Sequence, residues 1–464
     1  NVITGADFTG TDGLGGFEDS NHIYGLDGND GLGGNAGEDI LNGGHGNDTL
    51  RGGGGNDVYQ FNLGDGSDSI YEYVDGGNDK IVFGDSVSLD DVRVGIRYTN
   101  VSQYPQHPFI TVGNNGDSIS ILGVENNLIE SYEFSDGSVF SFEELVARQG
   151  GYDTFGDASN NYIYGSAGGY IDAGAGNDFI VLTGGTNYLV QAGTGNDTIV
   201  MNSPGLPDQY GVSGILIGGA GNDTYQYNLA VGGGVYISDL ASPGQGNSLV
   251  FGSGISYGSL QLGLGSLLIR VGETGGAIHL ENFDPNDVYG AHAIETFEFA
   301  DGTILNYVDL IVKGFDLTGT GGDDTITGTN TVDRIIGGSG NDTLAGGAGN
   351  DIYYYNLGDG SDTILDIAGT DILRFDGDIA PDSLATETSG NDLLIQVGDE
   401  LLTIQNWFLG PDYRIENIQF SDGSSYDAAW LESLSRHAPE LIVPVSDQPA
   451  TEDSPFSVNL AGFF

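Results

Sequence analysis

The 464-residue chain has no cysteine. That excludes disulfides and thiolate metal sites. It has little positive charge: Lys and Arg number 11 against 67 Asp and Glu, a formal net charge of -56. Such a chain repels nucleic acid and anionic lipid, and repels itself unless cations neutralise it. It shows no N-terminal signal-peptide pattern and no apolar run long enough to span a membrane. Its histidines, His22, His45, His107, His279, His292 and His437, show no HExxH or paired spacing. Residues 254–258 (GISYG) formally match a nucleophile elbow, but Gly and Ser surround them where that motif requires a buried strand and then a helix. No enzyme activity is therefore expected of this chain. It begins with Asn1 rather than Met, so a fragment or a processed product is expected.

The chain has 24 Tyr, 21 Phe and 38% hydrophobic residues, enough apolar material for cores. The acid excess therefore reads, at least in part, as ligand supply rather than as the signature of disorder. Its arrangement supports that reading. Residues 25–60 run GLDGNDGLG, GNAGEDILN, GGHGNDTLR, GGGGNDVYQ, four nine-residue units in register. The sixth position is acidic each time: Asp30, Asp39, Asp48 and Asp57. The eighth is apolar or aromatic: Leu32, Leu41, Leu50 and Tyr59. The fourth is glycine: Gly28, Gly37, Gly46 and Gly55.

Glycine supplies positive-φ conformations, so the first six residues of a unit can turn tightly. The last three, with one inward apolar side chain, make a minimal strand. Two units complete a coil, and stacked coils give a parallel β-roll. The turns point carbonyl oxygens towards an Asp carboxylate, and hard oxygen donors without His or Cys suit calcium. Because the side of the roll alternates, partner turns should lie two units apart. Asp30 should meet Asp48, Asp39 meet Asp57, Asp324 meet Asp342, and Asp333 meet Asp351. A flexible Gly/Asp linker needs no such register.

The plan is used three times. The first block covers 7–60, with Asp12 and Asn21 at position six of its first two units. A looser second block runs from 156 to 226 and includes AGAGNDFIV (173–181), AGTGNDTIV (192–200) and GGAGNDTYQ (218–226). The third, 319–354, reads GTGGDDTIT, GTNTVDRII, GGSGNDTLA, GGAGNDIYY. After each comes a segment with period-two alternation, which predicts half-buried strands. Each then carries a Phe-Ser/Ala-Asp-Gly ending, whose Asp-Gly is a turn signal, and a short helix. Ser141 and Glu144 form a capping box for the first helix. The fold class expected is all-β: three calcium-dependent parallel β-roll blocks, each followed by a β-rich cap with a short helix. The expected copies are 1–150, 151–314 and 315–436. Residues 437–464, punctuated by Pro439, Pro444, Pro449 and Pro455, are read as a linker and the start of a further domain. The recurring NLGDGSD segments at Asn62 and Asn356 are read as turns leaving the roll rather than as further ligand sets.

The units resemble the glycine-rich nonapeptides of RTX (repeats-in-toxin, haemolysin-type) calcium-binding proteins. The resemblance implies an RTX solenoid in which each ion sits between turns two apart. One turn gives the carbonyls of positions two and four and its Asp, and the other the carbonyls of positions one and three and its Asp. Carried over, Leu26, Gly28 and Asp30 would face Gly43, His45 and Asp48, and Asn35, Gly37 and Asp39 would face Gly52, Gly54 and Asp57. In the second block, Gly174, Gly176 and Asp178 would face Ala192, Thr194 and Asp197. There, too, Gly193, Gly195 and Asp197 would face Gly218, Ala220 and Asp223. In the third, Thr320, Gly322 and Asp324 would face Gly337, Ser339 and Asp342, and Thr329, Thr331 and Asp333 would face Gly346, Ala348 and Asp351. Asp12 would serve the first coil. The resemblance implies about eight calcium ions.

Asn21 and Asn161 replace Asp, so weak or empty sites are expected there, and Thr331 in place of the fourth-position Gly is expected to strain its turn. The tail from Ala438 resembles the opening of cadherin-like bacterial adhesin repeats. Together these imply a calcium-binding structural segment of a secreted bacterial surface protein, exported by type I secretion from a Gram-negative-type cell, with its signal at a C-terminus absent here. The alternative is the accessory region of a secreted protease, lipase or alginate epimerase, or a carbohydrate-binding module. The partners expected are calcium, and carbohydrate or other copies through the caps; nucleic acid and membrane insertion are not expected.

Overall fold

The structure is a computed structural model. It describes residues 2–4, 14–15, 20–72, 77–99, 106–123, 129–149, 153–165, 168–202, 212–228, 233–239, 246–272 and 276–434. Asp12 and the expected linker and cadherin-like start at 437–464 lie outside the described residues. The chain divides into two compact units, one of residues 1–261, 265–283 and 291–310, the other of 262–264, 284–290 and 311–464. The protein is all-β apart from short helices such as Phe142–Gln149, Tyr307–Ile311 and Ala428–Ser433.

In the first unit the nonapeptides wind into two parallel sheets. One contains His22–Asp27, Ile40–His45, Val58–Phe61 and Lys80–Phe83, the other Gly31–Ala36, Thr49–Gly54 and Ser67–Tyr71. Register stacks the eighth-position residues: Ile23 on Leu41, Leu41 on Tyr59 and Tyr59 on Ile81 in one sheet, Leu32 on Leu50 and Leu50 on Ile70 in the other. All are buried. Each such side chain contributes about 1.5–3 kcal/mol of burial, so every coil adds a small core rung of its own.

The post-repeat segments continue these sheets rather than forming a separate layer. Ser131–Glu133 pairs in parallel with Lys80–Phe83 and antiparallel with Val139–Phe140, and Asp117–Leu122 pairs in parallel with Ser67–Tyr71. The helix Phe142–Gln149 follows, and its capping box forms, with Ser141 N donating to Glu144 Oε2 at 2.8 Å and Glu144 N to Ser141 Oγ at 3.2 Å. The strand Val92–Tyr98 pairs with Gln106–Val112 and also, through Gly95 to Arg97, in parallel with Asp153–Phe155. That pairing passes the sheet into a second roll, where Ile163, Ile180, Ile199, Tyr225, Leu249 and Phe297 stack in one column. Coils without a sixth-position Asp, at 165–172 and 182–191, still keep the apolar column: Ile171 lies on Val190 and Val190 on Leu216.

The second unit repeats the plan. Ile335, Tyr353, Leu373 and Ile418 form one column, and Ile326, Leu344, Ile364 and Ile404 the other.

The turns explain the glycines. Gly46 has φ 145°, and a Cβ there would lie 1.8 Å from the carbonyl oxygen of Gly28 in the coil before. Position two also takes positive φ, and in the first described turns it is not glycine: Leu26 has φ 82° and Asn35 φ 76°. Thr331 is a correction to expectation. It adopts no positive φ, because Asp333 closes its turn by accepting from Thr329 N at 2.6 Å and Thr329 Oγ1 at 3.1 Å. These positions give a paired prediction. Gly46→Ala should destabilise the calcium-loaded chain by about 1–3 kcal/mol. Leu26→Gly, whose side chain is half exposed, should stabilise it by up to about 1 kcal/mol, because the left-handed penalty for an L-residue exceeds the entropy cost of glycine. Chemical denaturation in excess calcium reads both, and equal signs would refute the account.

Candidate metal centre

The sixth-position aspartates Asp30, Asp39, Asp48, Asp57, Asp178, Asp197, Asp223, Asp333, Asp342 and Asp351 are buried, and Asp324 is half-buried. The structure brings the expected partners together. The amide of Asp30 donates to Asp48 Oδ1 at 2.7 Å, Asp39 to Asp57 at 2.8 Å, Asp324 to Asp342 at 2.8 Å and Asp333 to Asp351 at 2.9 Å. In the second roll Asp178 donates to Asp197 Oδ1 at 2.7 Å and Asp197 to Asp223 Oδ1 at 2.8 Å. Asn21 and Asn161 start their columns, donating to Asp39 and Asp178 at 2.7 Å.

The ladder runs beyond the nonapeptides. Asp48 donates to Asp68 Oδ1, Asp57 to Asp79, Asp342 to Asp362 and Asp351 to Asp371, at 2.8–2.9 Å. This corrects the reading of the NLGDGSD segments as simple exit turns. Asp65 and Asp359 do close a turn, accepting from Asn62 N and Asn356 N at 2.7 Å, but Asp68 and Asp362 are rungs. The signal was present in sequence as an Asp at the right phase after a longer spacer.

Only one oxygen of most rungs is used by the ladder. The Oδ2 atoms of Asp39, Asp48, Asp57, Asp178, Asp197, Asp223, Asp342 and Asp351 are buried without a hydrogen-bond partner. A buried polar atom left so costs free energy unless something answers it. Those of Asp39, Asp48, Asp57, Asp223, Asp342 and Asp351 face a space kept open by a first-position glycine, whereas the units of Asp178 and Asp197 begin with Ala173 and Ala192. A Cβ on Gly34 would meet Asp39 Oδ2 at 2.3 Å and the Gly52 carbonyl oxygen at 2.5 Å; on Gly43 it would meet Asp48 Oδ2 at 2.1 Å. On Gly25 it would meet the Gly43 carbonyl oxygen at 2.3 Å and Asp30 Oδ2 at 2.8 Å. Carboxylate and carbonyl oxygens from turns two units apart thus converge, with no nitrogen or sulfur ligand among them, and an all-oxygen set of this kind fits calcium. Asp324 differs: its Oδ2 folds back onto Thr320 N at 2.6 Å and Thr320 Oγ1 at 2.8 Å, as Asp333 does onto Thr329. Other ligand candidates lie at the turns but face other partners: the carbonyls of His45 and Gly54 accept from Gly28 N and Gly37 N at 2.7 Å. The His45 ring is exposed. Ser256 caps the short 3-10 turn Tyr257–Ser259.

Burial pushes seven of the rung carboxyls up, and neighbouring carboxylates add to the rise. Asp48, Asp57 and Asp79 reach about 6, Asp223 and Asp371 about 7, and Asp68 and Asp351 about 8.

The first unit also holds a cleft of about 1040 Å³, lined among others by Arg93, Arg97, Phe109, Phe155 and Tyr170. Arg93 Nε lies 2.6 Å from Asp153 Oδ2, and the Arg97 guanidinium lies 4.3 Å from the Phe109 ring centre.

Comparison with known proteins agrees with this geometry. The RTX calcium-binding nonapeptide repeat matches residues 15–44, 24–59, 33–70, 170–189, 318–353 and 327–364. The haemolysin-type calcium binding protein related domain matches 267–309 and 392–429. No curated protein matches the chain. Among solved structures, the extracellular lipase LipA from Serratia marcescens is similar at 14% identity and a TM-score of 0.21, over 58% of this chain and 38% of the lipase. The chain therefore spans well under half of that protein's length.

A pH prediction follows. Asp48, Asp57, Asp68, Asp79, Asp223, Asp351 and Asp371 hold their protons more tightly folded than unfolded, where the value is 3.8. The metal-free fold is therefore most stable at low pH and loses stability as pH rises through about 6 to 8. In chelator, the β-sheet circular dichroism should grow on acidifying from pH 8 to 5. With calcium present, protons compete for the same oxygens, so the calcium midpoint should move to higher concentration over the same range. A chelated chain with unchanged ellipticity across that range would contradict the assignment.

Proposed function

This chain carries RTX calcium-binding nonapeptide repeats, and we propose that it is a calcium-folded structural segment of a large secreted bacterial surface protein of the adhesin or surface-layer type. The observation that carries the reading is the ladder of buried aspartates, one oxygen taking the preceding coil's amide and, in most, the other left without a hydrogen-bond partner. In the absence of cations these carboxylates repel; a calcium ion between turns converts repulsion into a cross-link, so binding energy is folding energy. We take the ligand sets to be those carried over above, with about eight ions, and the three copies to be 1–150, 151–314 and 315–436. Extracellular calcium, at millimolar levels, suits sites of this class, whereas cytosolic calcium leaves them empty. The chain would then pass an exporter unfolded and become rigid outside. Among the described residues no helix is long and apolar enough to cross a membrane.

Calcium titration followed by circular dichroism tests the reading: a cooperative gain of β signal is expected between micromolar and millimolar calcium. Asp48→Asn, which removes a charge shared by two turns, should raise the midpoint several-fold. A chain equally ordered in chelator, or a variant with an unchanged midpoint, would sink it. Assays on alginate, peptide and ester substrates discriminate a catalytic chain, since the structural reading expects no turnover.

A second reading rests on the cleft. The half-buried Tyr170 ring beside Arg93, Arg97 and Asp153 suits a neutral or acidic sugar. A glycan array with the calcium-loaded chain, and loss of any hit in Tyr170→Ala, decides it.

A further inference from the structure

The last coil of each roll meets something the nonapeptides do not supply. In the first roll, Asp57 and Asp79 are joined by Glu72, and in the third, Asp351 and Asp371 are joined by Asp366. In each trio one carboxylate oxygen per residue lies within 4.8 Å of the others, and all three side chains are buried. We propose that each trio holds a divalent cation of the calcium class, at a site outside the nonapeptide series that staples the returning post-repeat segment to the last coil. The proposal rests on the calcium reading above and extends it to residues that the nonapeptide pattern does not contain.

The geometry is built rather than incidental. The third acid is held by a buried tyrosine at the eighth position of the last unit. Tyr59 Oη donates to Glu72 Oε1 and accepts from Gly52 N at 2.7 Å. Tyr353 Oη donates to Asp366 Oδ2 at 2.8 Å and accepts from Gly346 N at 2.7 Å. The ladder fixes the other two acids, with Asp57 N on Asp79 Oδ1 and Asp351 N on Asp371 Oδ1, both at 2.8 Å. The independent pointer to a ligand is the second oxygen of the central acid. Asp57 and Asp351 are fully buried, yet Oδ2 of each has no hydrogen-bond partner. Both oxygens look onto the spot that the tyrosine hydroxyl borders: a Cβ on Gly52 would meet Asp57 Oδ2 at 2.1 Å and Tyr59 Oη at 2.6 Å. On Gly346 it would meet Asp351 Oδ2 at 2.2 Å and Tyr353 Oη at 2.4 Å. Oxygens packed around one calcium at 2.3–2.6 Å lie within about 5 Å of one another, as these do. Three carboxylates buried together without a cation repel one another and lose their hydration with nothing to replace it.

The second roll is the internal contrast. Asp223, Asp239 and Tyr225 occupy the matching places, with Tyr225 Oη donating to Asp239 Oδ2 at 2.7 Å. The place of Asp79 and Asp371, however, is taken by Asn247, whose Nδ2 donates to Asp239 Oδ2 at 3.0 Å and whose Oδ1 accepts from Asp223 N at 2.8 Å. An amide with its own hydrogens stands where the other rolls place a carboxylate.

The test counts calcium per full-length chain by metal analysis after equilibrium dialysis against millimolar calcium. The double variant Glu72→Gln with Asp366→Asn should bind one ion fewer for each altered exit, and Asn247→Asp should bind one more. Loss of ions in a double variant that still gains β signal with calcium supports the proposal. Where that variant does not fold, the gain in Asn247→Asp decides, since misfolding adds no ions. A folded double variant with the unaltered chain's count, or an unchanged count in the Asn247→Asp chain when it must decide, overturns the exit sites alone. An unaltered chain that binds no calcium overturns the reading beneath them as well.

Discussion

Like charges are stacked here at the spacing of a β-sheet. Along each column a buried carboxylate meets the coil before it, with one oxygen taking that coil's backbone amide and, in most, the other left without a hydrogen-bond partner. A hydrogen bond of that kind stabilises by about 1.5–3 kcal/mol, less than burial of the charge costs. The ladder therefore orients the acids but does not neutralise them. Under the calcium-folded reading proposed above, that imbalance is what makes the fold conditional: the charge on the turns decides whether strands, turns and core assemble.

The apolar columns and the glycine turns divide the remaining work. The columns set register, because a slip of one residue would turn Leu41 or Ile70 outward. The turns set proximity. Gly46 over Gly28 and Gly55 over Gly37 bring backbone within a distance that no side chain permits. The second roll separates the two functions. It keeps Ile171, Val190 and Leu216 in column through coils that carry no sixth-position acid, so the apolar register alone carries the roll across them.

Much of this was legible in the chain itself. The phase of Asp30, Asp39, Asp48 and Asp57, the inward eighth position and the pairing of turns two units apart follow from a nine-residue period and the alternation of faces. So does the capping box at Ser141. What was hidden depends on chain return. Asp68, Asp79, Asp362 and Asp371 are rungs, but they sit 20 or 22 residues after their partners instead of 18, because the turns before them are longer. Glu72 and Asp366 are unremarkable as letters; only the tyrosine hydroxyls of the last units single them out. The positive φ of Leu26 and Asn35 was hidden too, since the sequence marks the fourth position far more clearly than the second.

The ladder has a direction. Each rung receives from the coil before it what it gives to the coil after it, and the series stops where a post-repeat acid, Glu130 or Glu416, accepts the final amide at 2.6–2.7 Å. Both ends are consequently indifferent to how many identical coils lie between them. A whole coil can be inserted or excised without altering either terminus, changing the length by about 4.8 Å each time. The roll is in this sense a ruler graduated in coils, and its span is a quantity that evolution or an engineer can set by counting.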